Sequence, residues 1–237
     1  MIKKIIIKLK TRSLIKYIFW KSGISKVFNS IKTQIFNRED KRWFKDEGDK
    51  YLRFDYDIKN NDIVFEVGAF KGNDLKKFIL KYDCNIYAFE PSKYYFKNYL
   101  EIYKSEKVKL FNFGFYDQNT ILYLVNNNDG SYVTSKTPRS SNNYEIINLK
   151  KISDFIESFK ITKIKLMNMN IESAEYKVLN DLILSGKINL VDSLQVQFHR
   201  KTFLYYIKKR LINSRLKKTH KLIWKYNYVW ERWDKIL

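Results

Sequence analysis

Residues 61–90 read NDIVFEVGAFKGNDLKKFILKYDCNIYAFE. The apolar run 63–67 ends in Glu66 and Val67, Gly68 follows at once, and Gly72 stands four positions later. A segment with helical spacing then leads to a second apolar run, NIYAFE, that ends in Glu90. Strand, glycine loop, helix and strand in this order predict one unit of a mostly parallel sheet with helices on both faces. In such sheets ligands bind outside the carboxyl ends of the strands, so chemistry-bearing residues are expected just after each strand.

The rest of the chain repeats the rhythm. Predicted helices are PSKYYFKNYLEIYKS, with Pro91 near its start, KISDFIESF, and ESAEYKVLNDLILSG closed by Gly186. Predicted strands are VKLFNF, IKLMNMN and SLQVQFH. ILYLV and EIINL are expected as edge strands or a hairpin around the polar loop NNNDGSYVTSKTPRSSNN. The tail predicts a basic helix near YYIKKRLINSRLKK and then a strand pair in HKLIWKYNYVWERW. The expected organisation is a basic helical extension over 1–56 and a Rossmann-like α/β domain over 57–237.

Composition bounds the function. With 45% hydrophobic and 17% aromatic residues in 237, most of the chain can bury a core. The single cysteine, Cys84, excludes internal disulfides and multi-cysteine zinc sites and fits a reducing, cytoplasmic setting. The net charge of +21 sits in the flanks: residues 1–56 carry 15 Lys+Arg against 6 Asp+Glu, and residues 200–237 carry 12 against 2. Such flanks attract an anionic partner, unless the lysines are merely a compositional default. In the opening segment, which has no apolar run of membrane-spanning length, Ile24, Val27, Phe28, Ile31 and Ile35 share one helical face. A basic amphipathic helix of this kind either lies on an anionic membrane surface or packs on its own domain.

The glycine loop separates cofactors. A dinucleotide needs G-x-G-x-x-G so that its pyrophosphate can approach the backbone. Here the pattern is E-x-G-x-x-x-G, with Phe70 in the way. That disfavours NAD and suits S-adenosylmethionine, which carries no phosphate. Gly68 would let its methionine portion lie against the backbone, and Glu66 could hold loop N–H groups or the cationic end. Glu90 stands 22 positions after Gly68, where a carboxylate can accept both ribose hydroxyls of either cofactor. Asn168 and Asn170 lie in the fourth apolar strand, and Glu172 and Glu175 in the first turn after it, where the helix dipole alone would favour acids. His199 closes QVQFH and is suited to taking a proton from a hydroxyl, whereas His220 reads as structural. No His/Asp/Glu cluster has metal-ligand spacing, so no metal is expected.

Taken in order, FEVGAFKG, YAFEP, FNFGFYDQN, NDGSYVTS, NIESAEYKVLNDLILSG and VQFH resemble the FkbM-type S-adenosylmethionine-dependent methyltransferases over about residues 60–237. The tail TH..IW.YNYVWERW is similar to that of one branch. The resemblance implies a Rossmann-like fold and O-methylation of hydroxyls on sugars, glycans or secondary metabolites. It makes Glu66, Gly68, Ala69, Gly72, Glu90, Gly114 and Asn170 the cofactor contacts, and puts Glu172, Glu175 and His199 near the transfer centre. There are departures: the family usually has Lys where Asn168 stands and Gly where Ser173 stands, Asn170 replaces a frequent Asp as in some other members, and loss of that Lys keeps an inactive homologue in view.

Two further readings compete. The basic flanks suit a nucleic-acid methyltransferase or binding module, but NMNI is not the Asn/Asp-Pro-Pro-aromatic loop that stacks a flipped base, so nucleic acid is disfavoured. A short-chain dehydrogenase would need Tyr-x-x-x-Lys after the fourth or fifth strand. Tyr103 and Lys107 have that spacing on the second helix, the wrong place. The acceptor and the oligomeric state are not encoded in any motif.

Overall fold

The computed structural model describes residues 38–125, 131–138, 144–199 and 203–236. The amphipathic face at 24–35 and parts of the polar loop after Val125 lie outside them. The first described helix, α1 (38–45), is followed by β1 (Ile63–Val67), α2 (Asn73–Lys81) and β2 (Asn85–Phe89). The second predicted helix is short and changes pitch: α3 (Lys93–Tyr95) runs into a π turn at Phe96–Leu100 and a 3-10 turn at Glu101–Tyr103. Ser92 caps it by accepting from the Tyr95 N–H at 3.3 Å, so Pro91 sits one residue before the cap. There follow β3 (Val108–Phe111), β4 (Gly114–Tyr116), β5 (Thr120–Val125), β6 (Tyr132–Thr134), β7 (Tyr144–Lys151), α4 (Ile152–Ser158) and β8 (Ile164–Met169). The chain ends in α5 (Glu175–Leu184), β9 (Val191–Val196), α6 (Phe203–Leu216), β10 (His220–Tyr226) and β11 (Trp230–Lys235).

Seven strands form the main sheet in the order β10-β11-β9-β8-β1-β2-β3. All neighbours from β9 to β3 are parallel, while β11 runs antiparallel between β9 and β10. This is the Rossmann-like α/β fold, and the order reverses direction beside β1, the switch point where such sheets open a crevice. The central strands are apolar on both faces because helices cover both, with Phe65, Val67, Met167 and Leu194 on one side and Val64, Ile86 and Leu166 on the other. Phenylalanines dominate the first layer: Phe89 lies 4.4 Å from Phe115 and 5.2 Å, edge-on, from Phe155.

Two features exceed the sequence expectations. The expected hairpin is a separate four-stranded sheet, ordered β4-β7-β5-β6, in which β7 joins β5 antiparallel and β4 in parallel. Residues 38–56 are also not a free lead-in. Trp43 is buried against Trp224 and Tyr226, the Tyr226 hydroxyl donates to Asp46 at 2.6 Å, and the buried Arg53 stacks over Trp230 at 3.9 Å and pairs with Asp74. Among the described residues no helix is long and apolar enough to cross a membrane.

Candidate functional site

A cleft of about 270 Å³ opens at the carboxyl ends of β1, β2 and β8 and is roofed by the small sheet. Its floor is Val67, Gly68 and Phe70 after β1, Glu90 and Pro91 after β2, and Asn170, Ile171 and Glu172 after β8. Its roof is Gly114, Leu124, Val133 and Leu149, and Tyr95 closes one side. Of the candidates named from sequence, Gly68, Glu90, Gly114, Asn170 and Glu172 line this cleft. Glu66, Ala69, Gly72, Glu175 and His199 do not.

Gly68 adopts φ +89°, and a Cβ there would fall 2.2 Å from the Asn170 carbonyl oxygen. Only glycine lets the loops after β1 and β8 approach this closely. Gly72, also left-handed at φ +75°, packs instead on Tyr103 and Leu100, so it serves the docking of α2 against the segment after β2. Ala69 is buried beneath the loop, its N–H donating to the Phe89 carbonyl at 3.0 Å. Glu90 is almost fully buried. One carboxylate oxygen accepts the Phe70 N–H and the other the Ser92 N–H, both at 2.8 Å. Each oxygen keeps a second acceptor site, and two acceptors side by side match a vicinal diol. Burial is the main cause that pushes the Glu90 carboxyl up to about 7, the Glu145 carboxylate adds to it, and the two N–H groups hold it back. Asn170 contributes a buried Oδ1 with no hydrogen-bond partner among the described residues, a polar atom left over for a ligand.

Beside Glu90's end of the cleft, the small sheet is fastened to the domain. Glu145 on β7 accepts from the Ser92 hydroxyl at 2.6 Å and the Lys93 N–H at 2.5 Å. At the other end, three side chains that sequence places 27 residues apart meet. His199 Nε2 lies 3.3 Å from Glu172 Oε1, and its Nδ1 lies 3.6 Å from Glu175 Oε1. Glu175 is fully buried at the start of α5 and also accepts the His199 N–H at 2.6 Å, while Tyr176 donates to the His199 carbonyl at 2.8 Å. Burial opposes a charge on His199, but the hydrogen bonds and charges of Glu172 and Glu175 outweigh it and raise the imidazole to about 9. His199 is therefore a cation at neutral pH, an orienting partner of two carboxylates. The loop that presents Glu172 is strained: Glu172 and Ser173 adopt φ +50° and +82°. Such outliers persist where the surroundings enforce them, and they concentrate at functional sites.

Glu66 lies behind the loop in a buried polar ladder that no motif announced. In register across the sheet stand Glu66, Asn168, Gln195 and Arg232. Asn168 Nδ2 donates to Glu66 at 2.7 Å, Gln195 Nε2 to Asn168 Oδ1 at 2.6 Å, and the Tyr56 hydroxyl to Gln195 at 2.8 Å. Burial above all, and then the Asp74 carboxylate, push Glu66 well above the usual carboxylate range, against the Asn168 hydrogen bond and Arg53. His220, by contrast, is buried with Nε2 2.9 Å from the Val191 carbonyl, away from the cleft. Among the described residues no group of three or more His, Cys, Asp or Glu side chains could hold a metal ion. Sequence reasoning missed the cleft's apolar wall of Phe70, Tyr95, Leu124, Val133 and Leu149. Their signal, apolar residues within or beside short apolar runs, does not differ from that of packing residues.

A family model described as the methyltransferase FkbM domain matches residues 66–229. No curated protein matches the sequence significantly. Among solved structures, the fold is similar to a Clostridium thermocellum protein described as an rRNA methylase, with TM-score 0.46 and 12% identity over 76% of this chain and 89% of that one. It is also similar to a chain of a fibrillarin/Nop5p complex, with TM-score 0.42 and 13% identity over 76% of this chain and 75% of that one.

Proposed function

Because this chain belongs to the FkbM methyltransferase domain family, we propose that it transfers a methyl group from S-adenosylmethionine to a hydroxyl oxygen of a sugar, glycan or secondary-metabolite acceptor. The observation that carries the reading is the pairing of two chemistries in one cleft. A two-oxygen acceptor, Glu90, stands at one end, and a carboxylate held by a cation, Glu172 with His199, stands at the other. The residues present fit the cofactor: Glu90 would take the ribose diol, Gly68 would leave its backbone open, and the orphaned Asn170 Oδ1 would meet a donor of the amino-acid end. When bound, S-adenosylmethionine supplies a methyl group on a cationic sulfur that leaves as a neutral thioether.

The chain's own residues then have two tasks. The first is to position the reactants, which can supply several kcal/mol of the barrier by pre-paid orientation. The fixed strand ends and the roof of Leu124, Val133 and Leu149 do this. The second is to remove one proton from the acceptor hydroxyl. Glu172 is the base, because its carboxylate reaches the cleft whereas His199 is already protonated. His199 fixes the Glu172 carboxylate, and Glu175 fixes His199 through its N–H and ring. Asn168 stands away from this centre, hydrogen-bonded within the ladder.

Titration calorimetry with S-adenosylmethionine tests the cofactor. Micromolar binding is expected, and a folded protein that fails to bind would sink the reading. Methyl incorporation into sugars and glycans, read by mass shift, then tests the acceptor class. The basic N-terminal segment belongs to this proposal only as a surface for anionic membranes, which vesicle co-sedimentation would reveal.

A further inference from the structure

A second cavity of about 420 Å³ adjoins the cleft and takes no part in the chemistry above. It is lined by Tyr116, Gln118, Thr120, Leu122, Thr134, Ser135 and Lys177, and it shares Val133 with the cleft. The two are joined along one face of β5. Side chains two apart on a strand point the same way, so Leu124, Leu122 and Thr120 share a face; Leu124 lines the cleft, and Leu122 and Thr120 line the second cavity. From Leu124 to Thr120 the path runs roughly 13 Å at about 3.3 Å per residue.

The lining has a definite chemistry. Gln118, Thr120 and Ser135 offer an amide and two hydroxyls that no other side chain or backbone group of the described residues engages, and Leu122 and Val133 lie between them. Lys177 is neutralised by Asp117 at 2.6 Å and lies over the Tyr116 ring at 5.4 Å. A wall of neutral donors and acceptors interrupted by aliphatic side chains suits a ligand that is itself amphipathic on this scale, with hydroxyls at its edges and C–H faces between. Among the described residues it offers no free cation to a phosphate.

We propose that this cavity is an acceptor-extension subsite that holds a neutral, polyhydroxylated unit next to the one being methylated, so that the acceptor is an oligosaccharide or a glycoside with more than one ring. The inference rests on the methyltransferase reading for the direction of the acceptor, but the cavity can be examined by itself. The experiment is methyl and amide NMR of the full-length protein titrated with three neutral disaccharides, cellobiose, maltose and chitobiose, beside calorimetry with S-adenosylmethionine on the same sample. The expected result is a saturable shift of Leu122, Val133 and Thr120 signals with at least one disaccharide and a weaker response to glucose. A doubly substituted Thr120→Val/Gln118→Ala protein should bind more weakly by about fivefold for each hydrogen bond removed. Silence of these signals with all three disaccharides overturns the subsite, as does an undiminished response in the variant. A tetrauridylate that shifts them in place of the sugars overturns it in favour of nucleic acid. Cofactor binding with a silent cavity refutes only this inference. Loss of cofactor binding refutes the functional reading and leaves the cavity's own result standing.

Discussion

On the proposed ribose contact, Glu90 should make cofactor affinity depend on pH. Its carboxyl is pushed up to about 7, first by burial, and its two oxygens already take the Phe70 and Ser92 N–H groups. A ribose diol that donates to those oxygens favours the carboxylate over the acid, so binding expels the proton from any protonated fraction. Below pH 7 each unit of acidification then costs about a factor of ten in affinity, or about 1.4 kcal/mol. Between pH 7 and pH 5 the dissociation constant rises roughly a hundredfold, and above pH 7 the curve flattens. The ligand's own amino group titrates near 8 and leaves the lower window clean. Calorimetry in a constant-ionic-strength buffer series reads the slope, and two buffers of different ionisation enthalpy count the released proton. Glu90→Gln removes both the slope and one acceptor, because an amide nitrogen cannot accept the N–H it then faces, and cofactor affinity drops by about ten- to a hundredfold. A wild-type affinity that is flat from pH 5 to 7, or an unchanged affinity in Glu90→Gln, refutes the ribose role.

Three other outcomes are expected. Because the His199 imidazole is raised to about 9 between its two carboxylates, its contribution to stability is complete below pH 6.5 and is lost as pH rises through 9. Urea unfolding should show a fall of up to about 3 kcal/mol across that window that is missing in His199→Asn, while Glu172→Gln should cost a hundred- to ten-thousandfold in kcat at pH 7.5. Ser173 sits at φ +82° with a buried hydroxyl that finds no partner among the described residues, so Ser173→Gly should raise stability by about 1 kcal/mol and the thermal midpoint by about 2–4 °C in calorimetric scans. Lys209 and Glu231 form a buried pair at 2.5 Å, with the Lys209 ammonium lowered by burial against the pull of Glu231. Lys209→Met should cost about 3–5 kcal/mol in denaturant titrations, and Lys209→Met/Glu231→Gln should recover most of it.

Much of the frame was legible along the chain. Short apolar runs, Gly68 and Gly72, and Glu90 at a strand end are local signals, because strand periodicity, left-handed glycines and strand-end carboxylates depend on a few neighbouring residues. They placed β1, β2, β3, β8 and β9, the closing helix and the terminal strand pair. Residues 38–56 read as polar because Trp43 and Arg53 are isolated in sequence, yet their partners, Trp224, Tyr226 and Trp230, lie near the far end of the chain. The small sheet was half visible: β5 and β7 read as edge strands or a hairpin, but β4 and β6 are only three residues each, too short for any period to register.

By itself the sequence determined the order of the main-sheet strands and put Gly68, Glu90 and Asn170 directly after three of them. Only the tertiary structure decided what those residues are. Folding brings Glu172 and Glu175 against His199, and their charges and hydrogen bonds raise its imidazole to about 9 against the opposing effect of burial. Burial pushes the Glu90 carboxyl up to about 7, and Glu66 lies outside the cleft in a ladder with Asn168, Gln195 and Tyr56. Charge states follow from burial and from partners distant in sequence, and these exist only once the sheet has assembled.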